Sequence, residues 1–105
     1  MIARAWHGMV PEDQAEEYLD YVKQTGVPGL GSTSGNLGVM VFRRTEQGHA
    51  NFLLMSFWES YEAIARFAGP DIELARYYPE DENYLIELEP TVTHYEVVVG
   101  QEILE

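Results

Sequence analysis

Apolar and polar positions are most sharply patterned between Ala50 and Pro70, ANFLLMSFWESYEAIARFAGP. Phe52, Leu53, Leu54, Met55, Phe57 and Trp58 form an apolar run interrupted only by Ser56. The run is too short to cross a membrane and fits a strand covered on both faces. Ser60 offers a hydroxyl to the unpaired N–H groups that open a helix. Tyr61, Ile64, Phe67 and Ala68 then share one helical face. Gly69 can take a left-handed conformation, and Pro70 cannot continue the helix.

The flanking sequence repeats this alternation. Residues 2–8 (IARAWHG) read as a first strand, with Arg4 and Trp6 on one side and Ala3, Ala5 and His7 on the other. Pro11 suits the first turn of a helix, and Glu12 and Asp13 suit the positive end of its dipole. Ala15, Tyr18, Leu19 and Val22 recur at helical spacing, opposite Glu16, Glu17, Asp20 and Lys23. Gly26 and Pro28 end that helix. Residues 26–36 (GVPGLGSTSGN) form a long loop, of the kind that lines a site or crosses an interface. Its glycines follow a helix rather than a strand, which is the wrong context for a phosphate-binding fingerprint.

Residues 37–44 (LGVMVFRR) read as a second strand, and Thr45 to His49 as a hairpin loop into the third. Beyond Pro70, residues 71–78 (DIELARYY) read as a short helix. Glu80, Asp81 and Glu82 read as a solvated turn, 84–88 as a short extended piece, and 91–99 (TVTHYEVVV) as the last strand. The order β-α-β-β-α-β predicts an α+β, ferredoxin-like antiparallel sheet with both helices on one face, built as a single domain over residues 1–105.

The central strands add a second expectation. A sheet with one wet face alternates apolar and polar residues. Here Val39 and Val41 oppose Met40 and Phe42, and Phe52 and Leu54 oppose Leu53, Met55 and Phe57. Helices cover one face only, so the other exposes more apolar surface than a monomer usually carries. A homodimer joined sheet to sheet is expected.

Composition narrows the partners. Acidic residues outnumber basic ones 18 to 6, for a formal charge of -12. Nucleic acid and anionic membrane surfaces would repel such a protein. The chain has no cysteine, which removes disulfides, zinc thiolates and thiol nucleophiles. No signal or transit peptide precedes the first strand pattern, so a cytoplasmic protein is expected.

Several stretches, ARAWHG, VPG, SFWES, RFAG, YYPEDE and TVTHYEV, together resemble the antibiotic biosynthesis monooxygenase family of dimeric α+β barrels, over residues 2–99. Trp58, Glu59 and Ser60 at the strand–helix junction carry the most specific part of the likeness. The resemblance implies a dimeric barrel and a small-molecule site. Characterised members oxidise polycyclic phenols without a cofactor, cleave haem, or act on small signalling molecules and quinols. In the haem-cleaving branch an asparagine on the first strand and a histidine on the second helix accompany the tryptophan. This chain has Trp58 but neither partner, which argues against haem.

Cofactor-free oxygenation needs a pocket for an electron-rich ring, a base, and polar groups that stabilise the resulting anion. Trp58 is a candidate wall, or else core. His7 and His94 are candidate bases near neutral pH. Arg4 is a candidate anion partner, or a solvent-facing charge. Tyr77, Tyr78 and Tyr84 could close a pocket mouth or pack the acidic turn. No serine triad, zinc spacing or Walker motif is present, and no metal is expected. The leading reading is a cofactor-free monooxygenase-like enzyme for a small aromatic or quinol-type metabolite. The alternatives are a dimeric binding module for a small hydrophobic ligand, without catalysis, and a scaffold with a closed core.

Overall fold

The computed structural model describes residues 1–104. Four strands, β1 (Ile2–Pro11), β2 (Asn36–Glu46), β3 (His49–Trp58) and β4 (Thr93–Glu96), form one antiparallel sheet in the order β2-β3-β1-β4. This is the ferredoxin-like arrangement expected of the β-α-β-β-α-β order. The β2–β3 hairpin closes through Gln47 and Gly48 alone, both at positive φ (52° and 79°). Two such residues make the turn whose twist matches paired strands.

The first helical layer is α1 (Ala15–Gln24), which buries Ala15, Tyr18 and Val22 against the sheet. Across the second crossover, α3 (Tyr61–Ala68) buries Ala63, Ile64 and Phe67. Ser60 caps α3 as expected, its hydroxyl accepting from the Ala63 N–H at 3.1 Å, and Gly69 ends it at φ +88°. Each large side chain so buried contributes about 1.5–3 kcal/mol.

Five stretches differ from the expectation. Pro11 closes β1 instead of opening a helix, and a 3-10 turn over Glu12–Gln14 precedes α1. Residues 26–31 are not loop but a short helix, α2 (Gly26–Gly31), in which Pro28 occupies the first turn, where no N–H is needed. Residues 71–78 form no helix. Their backbone is drawn across to residues 90–92 instead, through Ala75 N–H to the Pro90 carbonyl and Val92 N–H to the Glu73 carbonyl, both at 2.9 Å. The helical turn comes later, as α4 (Asp81–Tyr84), and β4 spans only 93–96 of the expected 91–99.

Strand alternation separates the two sheet faces. Ile2, Arg4, Trp6 and Val10 of β1 and Phe52, Leu54, Ser56 and Trp58 of β3 are buried beneath the helices. The opposite face carries Ala5, His7, Leu53, Met55, Phe57 and Met40, all only half-buried, with Phe42 and Tyr95 exposed. The apolar second face is therefore present, crossed at one corner by the C-terminal turn, whose Leu104 approaches Gly38. No helix among the described residues is long and apolar enough to span a membrane.

A candidate active site between the sheet and its helices

Arg4 and Trp6 lie two residues apart on β1, so both side chains enter the space under the helices. They line a cavity of about 30 Å³ floored by Leu54. Tyr18 and Val22 of α1, Gly26 and Leu30 of α2, and Phe67 of α3 enclose it. Arg76, Tyr78 and Asp81, from the connection after α3, complete the wall. Arg76 is exposed and Tyr78 half-buried, so the cavity meets the surface there. The glycine-rich stretch contributes by its lack of side chains: a Cβ on Gly29 would sit 2.1 Å from the Tyr78 hydroxyl.

Arg4 is 2 % exposed. One guanidinium nitrogen donates to the Leu74 carbonyl at 3.2 Å, while Nε has no partner among the described residues. Its Cζ stands 5.5 Å from the Phe67 ring centre. Among the described residues no carboxylate pairs with it. Burial pulls its pKa down to about 10, so it is still a cation at neutral pH. Trp6 is also buried, and its indole N–H is likewise unpartnered. Its six-membered ring fills the space over Gly8, where a Cβ would lie 2.4 Å from Cη2.

Asp81 is 5 % exposed, which corrects the expectation of a solvated acidic turn for this residue. Its carboxylate accepts from the Tyr18 hydroxyl at 2.9 Å and from the Tyr78 N–H at 2.6 Å. Burial raises its pKa above the ordinary value against the pull of those two donors. The same burial, with the neighbouring carboxylate, pushes the Tyr18 phenol up. Arg76 donates to the Phe67 carbonyl at 2.9 Å and lies over the rings of Phe67 (4.6 Å) and Tyr78 (5.3 Å).

Of the residues singled out in the sequence, Arg4 and Tyr78 line this cavity. His94 pairs with Arg4 across β1–β4 and so shares its face. It borders a separate shallow depression with Tyr61 and Glu73. Its Nε2 is buried without a partner, and burial, then the Arg4 charge, lowers its pKa. His7 lies on the other sheet face, bonded to Glu89 (2.5 Å) and Asn51 (3.0 Å). Trp58 is fully buried beside Phe67, with its indole N–H on Ser56 Oγ at 2.9 Å. The Tyr77 hydroxyl donates to the Glu89 carbonyl, and burial raises that phenol to about 12. Tyr77 and Tyr78 border a surface groove beside Pro79. Tyr84 bonds Glu17 at 3.0 Å and stacks on Tyr21. Trp6, Tyr18, Phe67, Arg76 and Asp81 were not singled out. The alternation of β1 already placed Trp6 beside Arg4, which was the available signal.

Among the described residues the cavity wall carries no histidine, cysteine or methionine; of its two tyrosines, the Tyr18 hydroxyl is engaged by Asp81 and Tyr78 stands at the mouth. No three His, Cys, Asp or Glu side chains converge as a metal site among the described residues.

The chain superposes on a Bacillus cereus protein classed with the antibiotic biosynthesis monooxygenases. The TM-score is 0.65 and the identity 18%, with 95% of each chain covered. It also superposes on a point mutant of MhuD crystallised with two manganese protoporphyrin IX molecules per active site. That match has a TM-score of 0.59 and 20% identity, covering 95% of this chain and 97% of the other. At such identities the likeness is one of fold. No curated protein matches the sequence. The family model for antibiotic biosynthesis monooxygenase matches residues 1–71, from β1 through α3. The chain belongs to the antibiotic biosynthesis monooxygenase family.

Proposed function

We propose that the protein is a cofactor-independent monooxygenase-type enzyme acting on a small aromatic or quinol-type metabolite. The observation that supports this most is the buried, under-partnered Arg4 in an aromatic-walled cavity. The substrate's polar end enters the cavity, and its ring lies at the mouth against Phe67 and Tyr78. A base removes a proton, Arg4 stabilises the anion, and the anion gives an electron to dioxygen.

Of the two histidines, His94, on the sheet face of Arg4 but in the separate depression, is the base in this reading, acting through a bridging water. It shares a face with Arg4, has a free Nε2, and its lowered pKa keeps it neutral and able to accept a proton at physiological pH. His7 is turned to the other face. Oxygen consumption with a panel of phenols and hydroquinones tests the proposal. Turnover is expected for at least one compound, with His94→Ala lowering kcat by about 10²–10⁴. A panel without oxygen uptake, or turnover unchanged in His94→Ala, refutes it.

One observation favours a second reading, a binding module without chemistry: the cavity's one acid, Asp81, has both oxygens already bonded. Saturable ligand binding without oxygen uptake is its signature. Under either reading two copies meet through the open sheet face, where Leu53, Met55, Phe57 and Phe42 would be covered. Light scattering is expected to give twice the chain mass, and Phe57→Glu to give one.

A further inference from the structure

Within the proposed site, we infer that the ligand is an organic carboxylate, its head group seated in the cavity against Arg4 Nε and the Trp6 indole N–H. This inference rests on the cavity being the ligand site, and it goes further by fixing the charge the ligand carries before any reaction.

Three observations converge. First, two buried donors, Arg4 Nε and Trp6 Nε1, have no acceptor among the described residues. Buried donors are satisfied in the great majority of proteins, so two on residues that line one cavity call for a missing acceptor. Second, the charge is unbalanced. The chain has only 6 basic residues against 18 acidic ones, yet two of the six, Arg4 and Arg76, line this cavity. The facing carboxylate, Asp81, is turned to Tyr18 and the Tyr78 N–H. Third, the cavity of about 30 Å³ suits a compact polar group rather than a ring.

A guanidinium buried without a counter-charge is costly in the resting protein. A phenol that ionises only during turnover leaves that cost in place until the reaction. A carboxylate, ionised at neutral pH, removes it on binding. A carboxylate also has lone pairs for both donors, and charge-assisted bonds of this kind are the strong ones. The body of the ligand then lies toward the exposed Arg76, whose guanidinium stacks on Phe67 and Tyr78.

The chain has two tryptophans, so nitrogen-15 correlation spectra carry two indole N–H signals. Trp58 is bonded to Ser56 and serves as an internal reference. Full-length protein is titrated to tens of millimolar with acetate, benzoate and salicylate, and with benzamide as the neutral counterpart of benzoate. At least one carboxylate is expected to move the Trp6 signal saturably while Trp58 stays in place, and benzamide is expected to leave both unmoved. By calorimetry, Arg4→Gln and Trp6→Phe should each weaken that carboxylate by about tenfold or more. If no carboxylate moves Trp6, or benzamide moves it equally, the inference falls. The wild-type comparison decides even where a variant does not fold. Carboxylate binding without oxygen uptake would sustain this inference and remove the oxygenase reading. Turnover of neutral phenols with no carboxylate binding would do the reverse.

Discussion

Replacing Arg4 with methionine should leave the ligand-free protein as stable as before, or more so, although the residue is 2 % exposed. Burial pulls the Arg4 pKa from 12.5 to about 10. The fold thus holds this proton less tightly than the unfolded chain does. The resulting cost is fully present at neutral pH and is relieved only as pH rises past about 10. At about 1.36 kcal/mol per decade it is of the order of 3 kcal/mol. Methionine removes the charge and keeps most of the volume. What is lost is the stacking on Phe67, about 0.5–1 kcal/mol, and the bond to the Leu74 carbonyl. That bond counts toward the low end of about 1.5–3 kcal/mol, because it is only part-buried. The balance lies between about 0 and 1.5 kcal/mol in favour of Arg4→Met, and each kcal/mol raises Tm by about 4–8 °C in a domain of this size. Urea unfolding at fixed protein concentration measures it. A loss of about 2 kcal/mol or more would refute the reasoning, because truncating one member of a satisfied buried ion pair costs more than that. A carboxylate ligand should raise the stability of the wild type and not that of the variant, since stabilisation follows binding.

Three further outcomes follow from local geometry. Gly8→Ala should cost about 1–3 kcal/mol by overpacking and shift tryptophan emission, since the new Cβ meets Trp6 Cη2 at 2.4 Å and Leu85 Cδ2 at 2.7 Å. Ser60→Ala removes the cap of α3 and should cost about 1 kcal/mol, read as a lower urea midpoint with unchanged slope. Burial alone would lower the His7 pKa, but its bonds to Glu89 and Asn51 and the charge of Glu89 outweigh it, so the net shift is upward. The contribution of His7 to stability is therefore whole below its ordinary value near 6.5 and is lost as pH rises through the raised value. Because the pair is more than a third exposed, the effect is small. It should appear as a slope in urea midpoint, beginning as pH rises past about 6.5, that His7→Gln flattens.

The fold was legible wherever local chemistry and tertiary contacts agree. Ser60, with the apolar run before it and Gly69 after it, marks α3 without ambiguity, because cap, amphipathic face and stop all point the same way. The stretch DIELARYY has helical spacing but lies beside residues 90–92, whose backbone claims its hydrogen bonds. There, pairing outweighs propensity. Gly26–Gly31 erred the other way. Glycine and proline argued for a loop, while packing of Gly29 against Tyr78 and of Gly26 toward Leu54 favours a helical turn with almost no side-chain bulk.

The site was legible by half for a related reason. Alternation along β1 put Arg4 and Trp6 on one face, and covering that face with helices turns an ordinary strand arginine into a buried charge. Nothing local to Arg4 reveals that its nearest acceptor is a main-chain carbonyl seventy residues away. Asp81 stood between two other acidic residues and read as solvent-facing. It is buried because Tyr18, sixty-three residues earlier on α1, reaches it, and because its own carboxylate holds the Tyr78 N–H. Trp58 drew attention as the most distinctive residue of the strand–helix junction, yet its single polar atom is satisfied by Ser56 two residues away. Trp6 has the same side chain on the neighbouring strand and no acceptor among the described residues. A buried tryptophan is informative about a ligand through the state of its N–H rather than through its ring. That state depends on contacts between distant segments, which composition and spacing do not encode.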